Sequence, residues 1–465
     1  MRHQTSLVVA GAALTVIGNV ATAGPGSSYI QNLQPFANPT GTSRTYSPRG
    51  VISTAVPFFR SLGSNGRACV DCHEPGEGWT ITPAGIRARF NQTRGLHPLF
   101  RLVDGANVPN APVATVAERR EAYSLLLNKG LIRVSMAIPA NAEFRLAGVD
   151  DPYNYANAGE VNMYRRPLPS ANINFVSAVM WDGRESKIDP AKIYIAPQDE
   201  HFRGQSQSAV SGHAQGSVIG TGEQEALVQF QRSLFVAQTV DRDAGNLTAQ
   251  GAKGGPVYIS QQRFHMGIND PILPDPSGAP STSEAFHLYD AWLNLSGNSR
   301  VTRARRAIAR GQQLFNTKPI QITGVAGLND DLSQPLIVGT CTTCHNNPNI
   351  GNHTMRRPLN IGLTDEAERT PDLPLYTLER LDTQGQPTGE LKKTTDPGRA
   401  MISGKWKDVG RFKGPVLRGL AARAPYFHNG LAANLGEAVE FYNRRFNIQF
   451  TAEEKADLIA FLRAL

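Results

Sequence analysis

The sequence predicts a mainly α protein with long irregular loops, and three observations predict it. The pentapeptide C-x-x-C-H occurs twice, as Cys69-Val70-Asp71-Cys72-His73 and as Cys341-Thr342-Thr343-Cys344-His345, and these two uses account for all 4 cysteines of the 465 residues. Helical patterns flank the second pentapeptide. Val301–Phe315 is a basic amphipathic stretch before it, and Thr451 to Glu454 makes a capping box at the C-terminal end, followed by a face of Ala456, Ile459, Ala460 and Leu462. Finally, 44 glycines and 31 prolines accompany only 18% charged residues, a composition rich in turns and connections.

The spacing of the pentapeptide has a chemical reason. Two thiols three positions apart can add across the two vinyl groups of one porphyrin, and the histidine that follows then lies beneath the iron. A redox C-x-x-C needs no following histidine. A zinc ribbon brings its two cysteine pairs within about 15–20 residues of each other, whereas here most of the chain separates them. A pair of structural disulfides leaves both histidines unexplained. The reading is therefore two covalently attached c-type haems, held by Cys69, Cys72 and His73 and by Cys341, Cys344 and His345. A helix before the motif and one after it make a cytochrome c-like unit. The chain accordingly divides into a segment 24–300 and a segment 301–465, the second a complete cytochrome c-like haem domain.

Residues 1–23 read as a secretory signal. Arg2 supplies positive charge, Leu7–Val20 is apolar but short for a bilayer span, and Ala21-Thr22-Ala23 fits the small-x-small cleavage rule. No other stretch approaches transmembrane length, so the expectation is an exported, periplasmic protein without stable membrane insertion. The formal net charge of +8 is carried without a basic run interleaved with aromatics, which argues against nucleic acid as a partner.

Taken in order, residues 24–50 read as an arm without periodicity. Residues 117–136 carry a helical pattern through Leu125, Leu126, Leu127, Leu131 and Ile132. Residues 137–170 look irregular, residues 205–240 read as helical, and Phe286–Leu295 reads as a short helix. Trp79, in the turn-rich loop after His73, is either a haem-edge contact or ordinary core.

Three signatures then carry a resemblance. They are the two C-x-x-C-H motifs in an exported chain, Trp181-Asp182-Gly183-Arg184 between them, and Arg411–Leu420 running into Ala424-Pro425-Tyr426-Phe427-His428-Asn429-Gly430. On these the chain resembles the bacterial di-haem cytochrome c peroxidase and MauG superfamily over roughly residues 51–465. On this resemblance segment 24–300 is another cytochrome c-like haem domain, in which residues 100–165 and 245–300 look like insertions. The resemblance implies that the His73 haem meets hydrogen peroxide, that the His345 haem passes electrons from a small cytochrome c or cupredoxin, and that Trp181 lies between them. It also implies a homodimer as one candidate state, for which the residues give no independent sign. A MauG-like oxidase of an organic or protein substrate and a plain electron-transfer protein are the alternatives.

The resemblance also points to individual residues. In the family the sixth ligand of the second haem falls fourteen residues after the P-Y-F-H histidine, which is Tyr442 here. Peroxidases carry methionine there and MauG tyrosine. Met355, His353 and Met401 are the alternatives. The family's distal histidine loop is not recognisable, and His97 is the only nearby candidate, so the resemblance implies an open His73 haem. Gln205 aligns with the family's pocket glutamine, and His213 then stands about where a proton-transfer group belongs. Glu223 and Glu225 are its competitors. The family's calcium uses an asparagine fifteen residues before the tryptophan. That position is Arg166 here, which argues against tight calcium binding.

Overall fold

The computed structural model describes residues 28–155, 159–188, 198–270 and 284–465. The expected signal segment lies outside the described residues. The chain folds as a mixed α and β structure rather than a mainly α one: helix accounts for 31% and strand for 19%. Ten α-helices and five small sheets of two to four strands are distributed along the described residues.

The strands are where the helical expectation fails, and each has a physical reason. The stretch does form helices Val116–Ala122 and Ser124–Lys129, the second carrying Leu125, Leu126 and Leu127, but Gly130 takes a left-handed φ of 65° and ends it, leaving Leu131 and Ile132 outside. Ile132–Ala137 then runs antiparallel to Glu160–Arg165, inside what reads as an irregular stretch. That second strand is almost wholly buried, so it shows no alternation to read. The 205–240 pattern divides into helices Asp199–Gly212 and Thr221–Arg232 and the strand Phe235–Asp241. The N-terminal arm is not loose. Its strand Gly41–Tyr46 pairs with Phe235–Asp241 and with Pro35–Asn38. Of the helix expected at Phe286–Leu295 only the 3-10 turn Asp290–Trp292 forms.

The C-terminal region holds the largest core. Helix Arg300–Thr317 packs against helix Ala452–Arg463, as the amphipathic patterns require. The Thr451 cap is reciprocal: its Oγ1 accepts from Glu454 N at 3.1 Å, and the Glu454 carboxylate accepts from Thr451 N at 2.9 Å. Phe286, Tyr289 and Trp292 are buried in the same core, so residues before 300 complete it. A three-stranded sheet joins distant parts of the chain, with Phe144–Asp150 pairing to Leu375–Leu381, which in turn pairs with Pro387–Thr394.

Candidate functional site

The two pentapeptides adopt the same local structure. Cys69–Asp71 and Cys341–Thr343 are 3-10 turns, and each turn closes through a side chain at its third position. Asp71 accepts from Ala68 N at 2.8 Å, and Thr343 Oγ1 accepts from Thr340 N at 2.9 Å. Each histidine then uses Nδ1 in the same way. His73 Nδ1 lies 3.1 Å from Trp79 O, and His345 Nδ1 lies 2.9 Å from Gly351 O. A carbonyl only accepts, so Nδ1 carries the proton and the Nε2 lone pair is left for a ligand. Burial pushes both imidazoles down to about 4, which keeps them neutral at pH 7. Both acceptors lie six residues beyond the histidine. Gly351 is in the left-handed region, with φ at 72°, and a Cβ there would stand 2.5 Å from the Phe286 ring. Only glycine presents that carbonyl without displacing the core.

A cavity opens beside the first motif. It encloses about 1570 Å³ of atom-free space, its mouth included, and Cys69, Cys72 and His73 form part of its wall. Trp181, Gln205 and His213 line the same cavity, so the structure brings together three residues scattered along the sequence. Helix Asp199–Gly212 delivers the last two, with Gln205 on one of its turns and His213 as its C-cap. His213 Nδ1 lies 2.5 Å from Asp104 Oδ2, and Arg67 Nη1 donates to both oxygens of Asp104 at 2.6 and 2.8 Å. Burial alone would push the Asp104 carboxyl up. The Arg67 guanidinium and His213 outweigh it and hold the group below the usual carboxylate range. Asp104 escapes sequence reasoning because its loop carries no motif and no spacing to His213.

The competing residues lie elsewhere. Glu223 pairs with Arg60, and Glu225 pairs with Arg203 at 2.9 Å, both in exposed or half-exposed settings. His97 caps a local turn, accepting from Leu99 N at 3.2 Å, and is not part of the cavity wall.

Trp181 connects this cavity to the second motif. Its indole Nε1 donates to Arg166 O at 2.8 Å, and the buried Lys413 ammonium sits 5.7 Å from the ring centroid. Lys413 N donates to Trp181 O at 3.0 Å, and the next residue, Gly414, packs on His353, where a Cβ would stand 2.6 Å from the histidine Cβ. His353 Nδ1 lies 3.2 Å from Cys344 O. Packed and hydrogen-bonded atoms thus run from the cavity wall to the second motif.

At that motif the rings of His345 and Tyr442 are 6.4 Å apart, and Tyr442 packs against the core that holds Cys341 and Cys344. Burial pushes the Tyr442 phenol well above its usual range. Both ring nitrogens of His353 face backbone carbonyls, Nε2 lying 2.8 Å from Arg357 O, so neither is turned toward an open metal position. Met401 packs in a different cluster with Phe144 and Trp406, while Met355 shares the core of the second motif.

The residues fit a haem. Arg418 is 1% exposed, and its Nη1 donates to Asn349 O at 2.9 Å, yet Nε and Nη2 have no partner among the described residues. A buried guanidinium with idle donors beside the loop after His345 calls for an anion, as a propionate would supply. Lys413 is a second buried cation, lining the first cavity beside the Trp181 ring. The residues do not fit the calcium ion of the resembled family. Arg166 puts a guanidinium, not an oxygen, at the expected position, with Nη2 3.1 Å from Arg423 O. Among the described residues no cluster of three histidines, cysteines or carboxylates is placed to hold a metal, and no helix is long and apolar enough to cross a membrane.

No family model matches the chain. It is 28% identical over 267 residues to cytochrome-c peroxidase IdrP1 of Pseudomonas sp. (strain SCT), covering 54% of this chain and 59% of that protein. It is 32% identical over 134 residues to cytochrome-c peroxidase IdrP2 of Denitromonas iodatirespirans, covering 27% and 36%. The cytochrome c551 peroxidase of Nitrosomonas europaea is 29% identical over 126 residues, covering 27% and 30%. The chain thus spans less than two thirds of the length of these curated relatives. A solved MauG-like protein associated with microbial copper homeostasis overlaps 67% of this chain and 75% of its own at 16% identity, with a TM-score of 0.33, which is too low to carry any argument.

Proposed function

We propose, from the chain's relation to the bacterial di-haem cytochrome c peroxidases, that it is an oxidoreductase that reduces hydrogen peroxide to water. The observation that carries the reading is one cavity holding His73, Trp181, Gln205 and the His213–Asp104 pair. The proposal includes two covalent c-type haems, on Cys69, Cys72 and His73 and on Cys341, Cys344 and His345, with segments 24–300 and 301–465 as their domains. It also includes export to the periplasm and a small cytochrome c or cupredoxin as donor. When bound, haem iron supplies the redox equivalents and the site at which the peroxide oxygen–oxygen bond is broken.

The protein's own residues do the rest. His73 and His345 present Nε2 because their Nδ1 protons are committed to Trp79 O and Gly351 O. Reduction of one peroxide consumes two electrons and two protons and yields two waters. A group that lifts a proton from one oxygen and returns it to the other speeds that step. His213 has the chemistry for it, and Asp104, accepting from Nδ1, holds the tautomer whose Nε2 lone pair takes a proton. Gln205 offers an amide in the cavity wall to orient the substrate. Trp181, continuous with the second motif through Lys413, Gly414 and His353, is the residue through which electrons cross.

Tyr442 favours a second reading. A phenolate is a hard anionic donor that stabilises ferric iron, where methionine would raise the potential. With Tyr442 6.4 Å from His345, a MauG-like oxidase of an organic or protein substrate is the runner-up.

Electron paramagnetic resonance of the oxidised protein, followed by peroxide mixing, tests the proposal. One high-spin and one low-spin ferric signal, with His213→Ala slowing the peroxide reaction roughly 100-fold or more, is the expected result. Two low-spin signals and no reaction with peroxide before or after reduction would leave an electron carrier. An unchanged rate in His213→Ala would remove that residue from the mechanism.

A further inference from the structure

Arg166 is a buried cation that pairs with no carboxylate among the described residues. Its Nη1 donates to Lys129 O at 3.0 Å, and its Nη2 donates to Ile81 O at 2.7 Å and to Arg423 O at 3.1 Å. Glu77, the acid whose field it feels, makes no ion pair with it and accepts from Thr82 N instead. Three carbonyls from three separate segments therefore converge on one guanidinium. Ile81 precedes the helix Pro83–Thr93, Lys129 ends the helix Ser124–Lys129, and Arg423 follows the C-terminal turn Leu420–Ala422. Gly130 leaves room for the group, since a Cβ there would stand 2.7 Å from Arg166 Nη1.

Converging backbone carbonyls from distant segments are the surroundings in which hard cations are held. A guanidinium has five N–H donors in a rigid plane and serves several such oxygens at once. A second guanidinium, that of Arg423, lies close by, donating to Gly419 O at 3.2 Å and to Val416 O at 2.8 Å. Burial pushes both groups down to about 10, so each still carries its charge at neutral pH. Two fixed positive charges beside the same carbonyls repel a divalent ion.

We propose that Arg166 is a tethered cation that takes the place of a metal ion, clamping the Ile81 and Lys129 segments to the Arg423 segment without calcium. The clamp bears on the cavity through the backbone of the same residue. Arg166 O accepts the Trp181 indole N–H, and Arg166 N donates to His428 O at 2.6 Å. Arg166 is thus a positioning residue for Trp181, acting through the main chain that its side chain anchors.

The experiment is thermal unfolding of the full-length holoprotein after EDTA dialysis and again with millimolar calcium chloride, with bound calcium counted by equilibrium dialysis. None of these readouts needs turnover, so the proposal stands or falls separately from the peroxidase reading. The wild type is expected to bind no calcium and to melt at one temperature in both states. Arg166→Asn, which replaces the cation with an amide oxygen, is expected to melt several degrees lower in EDTA, to bind one calcium and to recover with it. Arg166→Ala is expected to be destabilised without recovery. Calcium binding by the wild type, or a melting point that EDTA lowers and calcium restores, would overturn the proposal. So would an Arg166→Asn protein as stable as the wild type. Destabilisation of Arg166→Asn that calcium does not relieve would make Arg166 an ordinary buried arginine and would equally overturn it.

Discussion

At the scale of single residues, the Arg67–Asp104–His213 chain combines stability with chemistry. The folded Asp104 carboxyl titrates below its unfolded value, which is about 4. A group depressed on folding contributes stability above its unfolded pKa and loses it as pH falls through the folded one. Wild-type melting temperature is therefore expected to fall more steeply than that of Asp104→Asn as pH is lowered below about 4. Parallel curves in scanning calorimetry would show that the carboxylate adds nothing. The C-x-x-C-H cysteines and histidines were readable from spacing and chemistry, whereas Trp181, Gln205 and His213 were candidates only through the family resemblance. Asp104 was legible by neither route, since a single aspartate in a loop becomes informative only when folding sets it against His213 and Arg67.

At the scale of elements, the second motif depends on the loop that returns its carbonyl. Gly351→Ala forces a left-handed alanine and drives a methyl into Phe286, at a cost of about 2–4 kcal/mol. Chemical denaturation should report that loss, and the low-spin signal should broaden as His345 loses a fixed Nδ1 partner. A variant as stable as the wild type with an unaltered spectrum would mean that the loop relaxes without moving the histidine. Helices Arg300–Thr317 and Ala452–Arg463 were legible because amphipathic period and capping residues declare them. The strands were not. Glu160–Arg165 is buried on both faces, and Phe235–Asp241 follows a helix so closely that its apolar run reads as that helix continued.

At the scale of the whole molecule, the two halves that carry the C-x-x-C-H motifs share elements. The strand Leu375–Leu381 pairs with Phe144–Asp150, and Leu465 O accepts from Gly419 N at 2.9 Å within reach of the strand Phe235–Asp241. Trp292 and Tyr289 complete the core around the second motif. Cutting between residues 299 and 300 should therefore yield a 300–465 fragment that aggregates or binds a hydrophobic dye, while co-expression with 28–299 restores a soluble complex. A soluble, cooperatively folding 300–465 fragment on its own would show that the shared sheet and aromatic residues are dispensable. Pairings across such separations leave no local trace, which is why the sequence reads as two tidy units and the structure interleaves them.

The carbonyls that accept from His73 and His345 belong to the main chain. Trp79 holds its own position through an indole bond to Thr45 Oγ1 at 2.8 Å and through burial, not through the bond its carbonyl makes. No side-chain substitution at position 79 or 351 can delete the acceptor; it can only shift it. In the proposed haem protein the two imidazoles are thereby protected against loss of their Nδ1 acceptor, though not against its displacement by a change such as Gly351→Ala.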